Sequence, residues 1–142
     1  MAAAVDAGAR VVCVTATRGE RGTPDPHRWP AARLASLREA ELAASLAVLG
    51  VTDHRQLGYP DGGCAEVPAD DAVSRLAELM AEVEPDTVLS FGPDGMTGHA
   101  DHRTIRLRAP SISTLPSGPR MTVDSRSSTT AGPSKTAPGP RR

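Results

Sequence analysis

Two imidazoles and a carboxylate stand within four residues of the chain, at His99, Asp101 and His102. They follow a short apolar run, residues 87–91, that is typical of a buried strand. Imidazole is the commonest side-chain metal ligand and a proton shuttle near neutral pH. In an open α/β sheet such groups lie at the carboxyl ends of the strands. The spacing therefore predicts a metal site or an acid–base site, with a polar loop that holds two histidines by chance as the alternative.

A helix predicted over residues 31–49 carries a second candidate group. At about 100° per residue, Arg38 and Glu41 fall inside the arc that its apolar side chains occupy. An unpaired charge within such a stripe is costly, because it loses water without gaining a partner. Two interpretations stay open: the two side chains pair at i,i+3, or Arg38 leaves the core to meet a polar ligand.

Strand-like and helix-like segments alternate along the chain, as an α/β layered fold requires. Residues 10–15 are apolar and β-branched, as in a strand buried on both faces. Gly8 is predicted to cap a helix that ends before this strand. Residues 68–83 predict a helix with a core-facing stripe, which consists of Val73, Leu76, Ala77, Met80 and Val83.

Four motifs occur in an order that resembles one known family. They are V-V-C-V-T-A-T-R-G-E-R-G at residues 11–22, R-E-A-E at 38–41 with L-G-V at 49–51, L-G-Y-P-D-G at 57–62 and G-H-A-D-H at 98–102. The chain resembles the LmbE/PIG-L family of zinc-dependent de-N-acetylases, which includes deacetylases of mycothiol and bacillithiol biosynthesis. Ala100 departs from the proline that the family usually has in the last motif. The resemblance implies an α/β fold with a Rossmann-like, open and mostly parallel sheet flanked by helices.

The resemblance also implies a role for each candidate residue. His102 matches a zinc ligand, and His99 matches the histidine that stabilises the oxyanion or protonates the leaving amine. Asp101 would orient His99 and fix its tautomer. Arg38 matches an arginine that contacts substrate, and Asp61 would bind a substrate hydroxyl, although a turn-forming role for Asp61 stays open. The implied reaction is zinc-dependent hydrolysis of the acetamide of an N-acetylglucosaminyl conjugate.

Members of the family carry an A-H-P-D-D-E motif after their first strand, which supplies two zinc ligands and a general base. The printed sequence does not contain this motif, and residues 1–10 are typical of the end of the following helix. We therefore expect an incomplete domain that is inactive alone. The alternative is a non-catalytic remnant, or a fragment that acts only through a partner.

Composition changes abruptly after residue 105. Residues 106–142 carry seven basic side chains against one acidic, a net charge of +6, whereas residues 1–105 carry nine basic and sixteen acidic, a net of −7. The second segment is rich in Pro, Ser and Thr and has no aromatic side chain. Such a segment buries too little apolar surface to offset the entropy of ordering its backbone. We predict a partial domain over residues 1–105 and a disordered basic tail over 106–142.

The same features exclude several classes of partner. The tail offers no aromatic platform on which bases could stack, so we expect no nucleic acid partner. No apolar run approaches the roughly 20 residues that cross a bilayer, so we expect no membrane partner and a cytoplasmic location. A small-molecule amino-sugar conjugate remains the expected partner.

Overall fold

The computed structural model describes residues 1–92, 94–108 and 120–123. Helices and strands alternate through most of this part of the chain. In chain order the elements are α1 (Ala2–Asp6), β1 (Val12–Thr15), α2 (Ala31–Val48), β2 (Asp53–Gln56), a 3-10 turn (Cys64–Glu66), α3 (Ala69–Val83), β3 (Thr87–Ser90), α4 (Ala100–Arg108) and β4 (Arg120–Val123).

The described strands pair in parallel. β1 pairs with β2, with Val12 opposite Asp53, and β3 pairs with β4, with Thr87 opposite Arg120. Each pair forms a separate two-stranded sheet within the described part of the chain. Parallel strands need helical crossovers, and α2 supplies the crossover from β1 to β2. The predicted α/β class with a parallel sheet and flanking helices is confirmed.

Proline precedes both main helices, and glycine follows the first of them. α2 starts after Pro30 and α3 after Pro68, positions at which the missing proline N–H is not needed by the helix. After α2, Gly50 adopts φ +73°, the left-handed conformation that ends many helices. A side chain at Gly50 would also lie 2.9 Å from the Cγ1 of Val5, so this position favours glycine for two reasons.

The apolar core is small, and its buried residues come from α2, α3 and the loops beside them. Its buried residues are Leu34, Ala35, Leu46, Val51, Cys64, Ala72 and Leu79. The stripe predicted on α3 is shifted, because Ala72 and Leu79 are buried while the predicted residues are only partly covered. On α2 the predicted apolar arc is also too wide, since Leu37 is 38% exposed and Val48 is 88% exposed.

The predicted domain boundary at residue 105 does not coincide with the end of a helix or strand. α4 runs through the predicted domain boundary at residue 105, and β4 lies beyond it. The remaining parts of the predicted disordered tail, residues 109–119 and 124–142, lie outside the described residues, so the domain division stays a prediction. Across the described helices, none combines the length and the apolar character that crossing a bilayer demands.

Candidate active site

The loops that follow β1, β2 and β3 carry residues of three of the four sequence motifs, and the R-E-A-E motif lies on α2. The pairing of β1 with β2 continues into their loops, because Leu57 N–H donates to Thr15 C=O at 2.9 Å and Tyr59 N–H donates to Ala16 C=O at 2.8 Å. Carboxyl ends of parallel strands meet at one edge of a sheet, where open α/β proteins bind their ligands. The first two loops are thereby held side by side at this edge.

Asp61 joins these two loops through its side chain and its backbone. Its Oδ2 accepts a hydrogen bond from Arg21 N–H at 2.9 Å, and its Oδ1 lies 3.4 Å from the donating hydroxyl of Thr17. Its own N–H donates to Oε1 of Glu20 at 2.9 Å. Asp61 therefore does more than form a turn, because it fixes the loop after β1 against the loop after β2. Its predicted contact with a substrate hydroxyl stays a prediction.

Glu20 has one carboxylate oxygen to which none of the described residues donates a hydrogen bond. Desolvation pushes the pKa of Glu20 upward, but hydrogen bonds from the backbone, first that of Asp61, and the charge of Arg21 outweigh it, so the pKa lies below its usual value. The carboxylate is thus an anion at neutral pH. Its Oε2 is buried and has no hydrogen-bond partner among the residues that the structure describes. A buried carboxylate oxygen of this kind is suited to accept a hydrogen bond from a ligand or water.

Asp101 is the most deeply buried charged residue in the described part of the chain, at 4% exposure. Its carboxylate accepts hydrogen bonds from Gly62 N–H at 2.7 Å and Cys64 N–H at 3.1 Å. This contact ties the first turn of α4 to the loop after β2. We expected the carboxylate to orient His99, but it binds these two amides instead, and the backbone N–H of Asp101 contacts His99.

The two histidines present opposite chemistry at their Nε2 atoms. Asp101 N–H donates to Nδ1 of His99 at 3.2 Å, so a neutral His99 carries its hydrogen on Nε2. Nδ1 of His102 lies 3.0 Å from the carbonyl oxygen of Gly95, which only accepts, and 3.2 Å from the hydroxyl of Thr97, which can also accept, so a neutral His102 carries its hydrogen on Nδ1 and presents a lone pair at Nε2. The ring centroids are 5.2 Å apart. The loop therefore offers one N–H donor and one nitrogen ligand or base side by side.

Two neighbours that the sequence interpretation did not assign hold His102 in place. Phe91, directly after β3, stacks on the imidazole with ring centroids 4.2 Å apart and planes 7° from parallel. Gly95 supplies the carbonyl that fixes the tautomer, and it adopts φ +72°. A side chain at Gly95 would lie 3.0 Å from atoms of both His102 and Arg103. In the sequence, the aromatic Phe91 stands a few residues before the G-H-A-D-H motif. This position was the signal that could have identified Phe91 as a neighbour of His102.

Arg38 is less buried than the helical pattern predicts. It pairs with Glu41 at i,i+3, with Nη1 and Oε2 3.3 Å apart, and the two side chains are 50% and 52% exposed. The two charges therefore pair at i,i+3, the first of the two interpretations, but the pair lies at the surface and not within the apolar stripe, because α2 turns this part of its surface toward solvent and the loop after β1. The Cγ of Arg38 lies 3.9 Å from the position that a Cβ of Gly19 would take. Arg38 thus stands beside the loop that carries Glu20.

The residues described do not complete a site for the zinc ion that the resemblance implies. His102 offers the lone pair of Nε2, in the arrangement that metal-bound histidines show when a carbonyl holds the other nitrogen. Zinc needs three or four such ligands. Within residues 1–92 and 94–105, no group of three or more His, Cys, Asp and Glu side chains could hold a metal ion. One imidazole is a candidate ligand and not a metal site.

Removing the Asp101 carboxylate should loosen this arrangement. Asp101→Ala removes the carboxylate that accepts hydrogen bonds from the N–H groups of Gly62 and Cys64, and we expect it to lower the free energy of unfolding by about 2–3 kcal/mol in a urea titration. The amide hydrogens of Gly62 and Cys64 should exchange faster in the same variant. Asp86→Ala, which changes an exposed aspartate between α3 and β3, is the control and should leave both quantities unchanged. Unaltered exchange at Gly62 and Cys64 in Asp101→Ala would contradict the assigned contact.

The parallel strands, their helical crossovers and the histidine-bearing loop at their carboxyl ends form an α/β fold that two solved structures share. The N,N'-diacetylchitobiose deacetylase of Pyrococcus horikoshii superposes with a TM-score of 0.69 at 30% identity, over 81% of this chain and 43% of that chain. The conserved protein TT1542 of Thermus thermophilus superposes with a TM-score of 0.59 at 28% identity, over 85% of this chain and 51% of that one.

The sequence profile of one family matches residues 1–112, and its description is "PIG-L: GlcNAc-PI de-N-acetylase". The chain belongs to this family. A 1D-myo-inositol 2-acetamido-2-deoxy-alpha-D-glucopyranoside deacetylase of Kineococcus radiotolerans is 37% identical in an alignment 131 residues long, and the alignment covers 72% of this chain and 36% of the relative. Deacetylase 2 of the same description from Catenulispora acidiphila is 39% identical in an alignment 124 residues long, which covers 72% of this chain and 41% of that relative. The chain spans about two fifths of the length of these curated relatives.

Proposed function

We propose that the chain forms part of a metal-dependent hydrolase that removes the acetyl group from an N-acetylglucosaminyl conjugate. The reaction breaks the amide C–N bond, places the oxygen of water on the carbonyl carbon and leaves acetate and a free amine. Two of the relatives are named as deacetylases of a 2-acetamido-2-deoxy-glucopyranoside of inositol. An inositol glycoside is therefore the substrate that we propose for this chain.

The pair of opposed histidine tautomers is the observation that carries this proposal. His99 presents an Nε2–H, which can donate to the oxyanion that develops on the acetamide carbonyl or pass its proton to the leaving amine. Asp101 ties the first turn of α4, next to His99, to the loop after β2, and Asp61 ties that loop to the loop after β1. Asp61, Glu20 and Arg38 are the groups that we propose for the hydroxyls of the sugar conjugate.

Zinc is the metal that we propose, because the motifs resemble those of zinc-dependent de-N-acetylases and the chain belongs to that family. Bound zinc would supply an acidified water and a polarised carbonyl. His102 is the described residue that would contribute a ligand, through Nε2. One imidazole does not hold zinc firmly, so the proposal does not extend to activity of the chain by itself. The second candidate is a non-catalytic remnant, which would keep the histidine-bearing loop without a complete set of metal ligands.

A reconstitution experiment distinguishes the hydrolase function from the non-catalytic remnant. A chimera would join the first strand, A-H-P-D-D-E turn and first helix of a relative to Ala3, and replace everything after Ile105 by the relative's C-terminal part. With zinc and the inositol glycoside, we expect release of acetate and of a free amine that an amine-reactive dye detects. A chimera that folds and binds zinc yet hydrolyses no acetamido sugar would establish the non-catalytic alternative.

Arg38→Ala in this chimera should act mainly on substrate affinity. A hydrogen bond between a guanidinium and a substrate hydroxyl is worth about 1.5–3 kcal/mol, so we expect KM to rise about tenfold or more, with a smaller change in kcat. Arg75→Ala is the matched control, because Arg75 and Glu78 form the same kind of exposed i,i+3 pair on α3, 3.0 Å apart. Equal effects of the two substitutions would refute a substrate contact for Arg38.

A further inference from the structure

A small cleft opens between the loop after β1 and the first half of α2. Its volume is about 170 Å³. An aromatic ring, two leucines and an ion pair face it, and the lining residues are Gly22, Thr23, Trp29, Leu34, Leu37, Arg38 and Glu41. Pockets that hold drug-sized ligands begin at about 300 Å³, so this cleft has room for a single ring.

One wall of the cleft is apolar. Trp29 is half-buried, and the guanidinium of Arg33 lies over its ring, 4.9 Å from the centroid. This cation–π contact limits the movement of the indole. Leu34 is buried beneath, whereas Leu37 remains 38% exposed at the cleft. An ordered indole next to a partly exposed leucine is suited to cover the apolar face of a ring.

The opposite rim is polar. Nη1 of Arg38 and Oε2 of Glu41 are 3.3 Å apart, and both side chains are half-exposed. An exposed ion pair of this kind contributes little to stability, so its groups can exchange partners with a ligand at small cost. Arg38 offers several N–H donors, and Glu41 offers acceptor oxygens. A ring that carries hydroxyl groups can bind both, because each hydroxyl donates and accepts.

The cleft is adjacent to the candidate active site through one short loop. Gly22 lines the cleft, and its N–H donates to Gly19 C=O at 3.2 Å, which closes a tight turn. Within that turn, Arg21 N–H donates to the carboxylate of Asp61. A conjugate whose amino sugar contacts Asp61 can therefore extend along this loop toward Trp29.

We propose that this cleft is the subsite for the aglycone ring of the substrate, with Trp29 and Glu41 as specificity-determining residues. The inference rests on the proposed function, since it assigns a place to the second half of the same conjugate. The chemistry of the lining selects a polyhydroxylated ring such as a cyclitol or a second sugar. The indole and Leu37 cover its C–H face, while Arg38 and Glu41 bind its hydroxyls.

Binding can be measured on the full chain without any hydrolysis. Trp29 is the single tryptophan of the chain, so its fluorescence reports on this cleft. We expect a saturable change in emission when the N-acetylglucosaminyl inositol glycoside is added, and at least about tenfold weaker binding in Glu41→Gln. N-acetylglucosamine alone should leave the emission unchanged. A glycoside that gives no change, or an equal response to both compounds, would overturn the subsite.

Calorimetric titration of variants provides a second test. Trp29→Ala should weaken binding of the glycoside about tenfold, Trp29→Phe should recover part of it, and Leu37→Ala should lower affinity without disturbing the core. Val48→Ala is the control, because Val48 is 88% exposed on the same helix and does not line the cleft. Equal affinities of Leu37→Ala, Trp29→Phe and Val48→Ala would contradict the assignment even if Trp29→Ala does not fold.

Different experimental results would refute the subsite and the proposed function. Binding that depends on Trp29 in a protein that releases no acetate would leave the subsite intact and remove the catalytic proposal. In an active chimera, the ratio of kcat/KM for the inositol glycoside to that for N-acetylglucosamine should fall about tenfold in Leu37→Ala and Trp29→Phe. An unchanged ratio would overturn the subsite while the deacetylase function stands.

Discussion

His102→Ala is expected to abolish metal binding and acetate release together in the chimera. His102 presents the lone pair of Nε2 because the carbonyl of Gly95 holds Nδ1, and Phe91 stacks on its ring. Loss of a contact behind a metal ligand already costs about 10–100-fold in metal affinity, so loss of the ligand itself should cost at least about 100-fold. Zinc content after dialysis and the rate of acetate release measure the two effects.

His27→Ala is a suitable control for this substitution, because His27 is exposed in the loop before α2. It should retain zinc and activity. For the chain itself we expect weak zinc binding, since the described residues supply one candidate ligand. Stoichiometric zinc in the chain after dialysis against a mild chelator, lost in His102→Ala, would show that other residues complete a site.

His99→Ala should leave the metal in place and lower kcat by about 10²–10³-fold, the scale expected when one transition-state donor or proton shuttle is lost. The tautomer of His99 is the reason. Because Asp101 N–H donates to Nδ1 of His99, the Nε2–H of His99 faces away from the loop backbone and can act as a donor. Steady-state kinetics and zinc content of the same preparation test both statements. Retained kcat, or loss of zinc, would contradict the separate roles of the two histidines.

His99→Gln distinguishes the two roles that remain open for this residue. Glutamine keeps an N–H donor but has no titratable proton at neutral pH. Partial recovery of kcat relative to His99→Ala would identify donation to the oxyanion as the main role. Equal loss in the two variants would identify proton transfer to the leaving amine.

Sequence patterns alone predicted the elements whose cause is local. α2 and α3 follow from helical periodicity and from the prolines that precede them, and β1 and β3 follow from short β-branched apolar runs. β2 was not predicted, because its four residues, D-H-R-Q, are all polar and pair with β1 through the backbone. α4 was missed as well, since the histidine motif has the composition of a loop although its last residues form the first turn of a helix.

The candidate site follows the same division between local and tertiary causes. The types and spacing of His99, Asp101 and His102 indicated a site because they are close in sequence. The partners of these residues were decided by folding: the carboxylate of Asp101 meets the amides of Gly62 and Cys64, 39 and 37 residues away. Which donors surround a buried carboxylate depends on how loops from different strands meet, and periodicity carries no information about that.

The charged residues of α2 show most clearly what a sequence pattern cannot predict. An ideal helical arc puts Arg38 and Glu41 among the apolar side chains, but which part of an arc is buried depends on what packs against it. In the folded chain the loop after β1 leaves an open cleft at this position, so both charges stay half-exposed. The sequence determined that the chain is an α/β protein with a histidine-bearing loop, and the tertiary structure alone decided which side chains face that loop and which face solvent. The physical reason is that backbone elements form from nearby residues, whereas burial and hydrogen-bond partners are set by contacts between segments far apart in the chain.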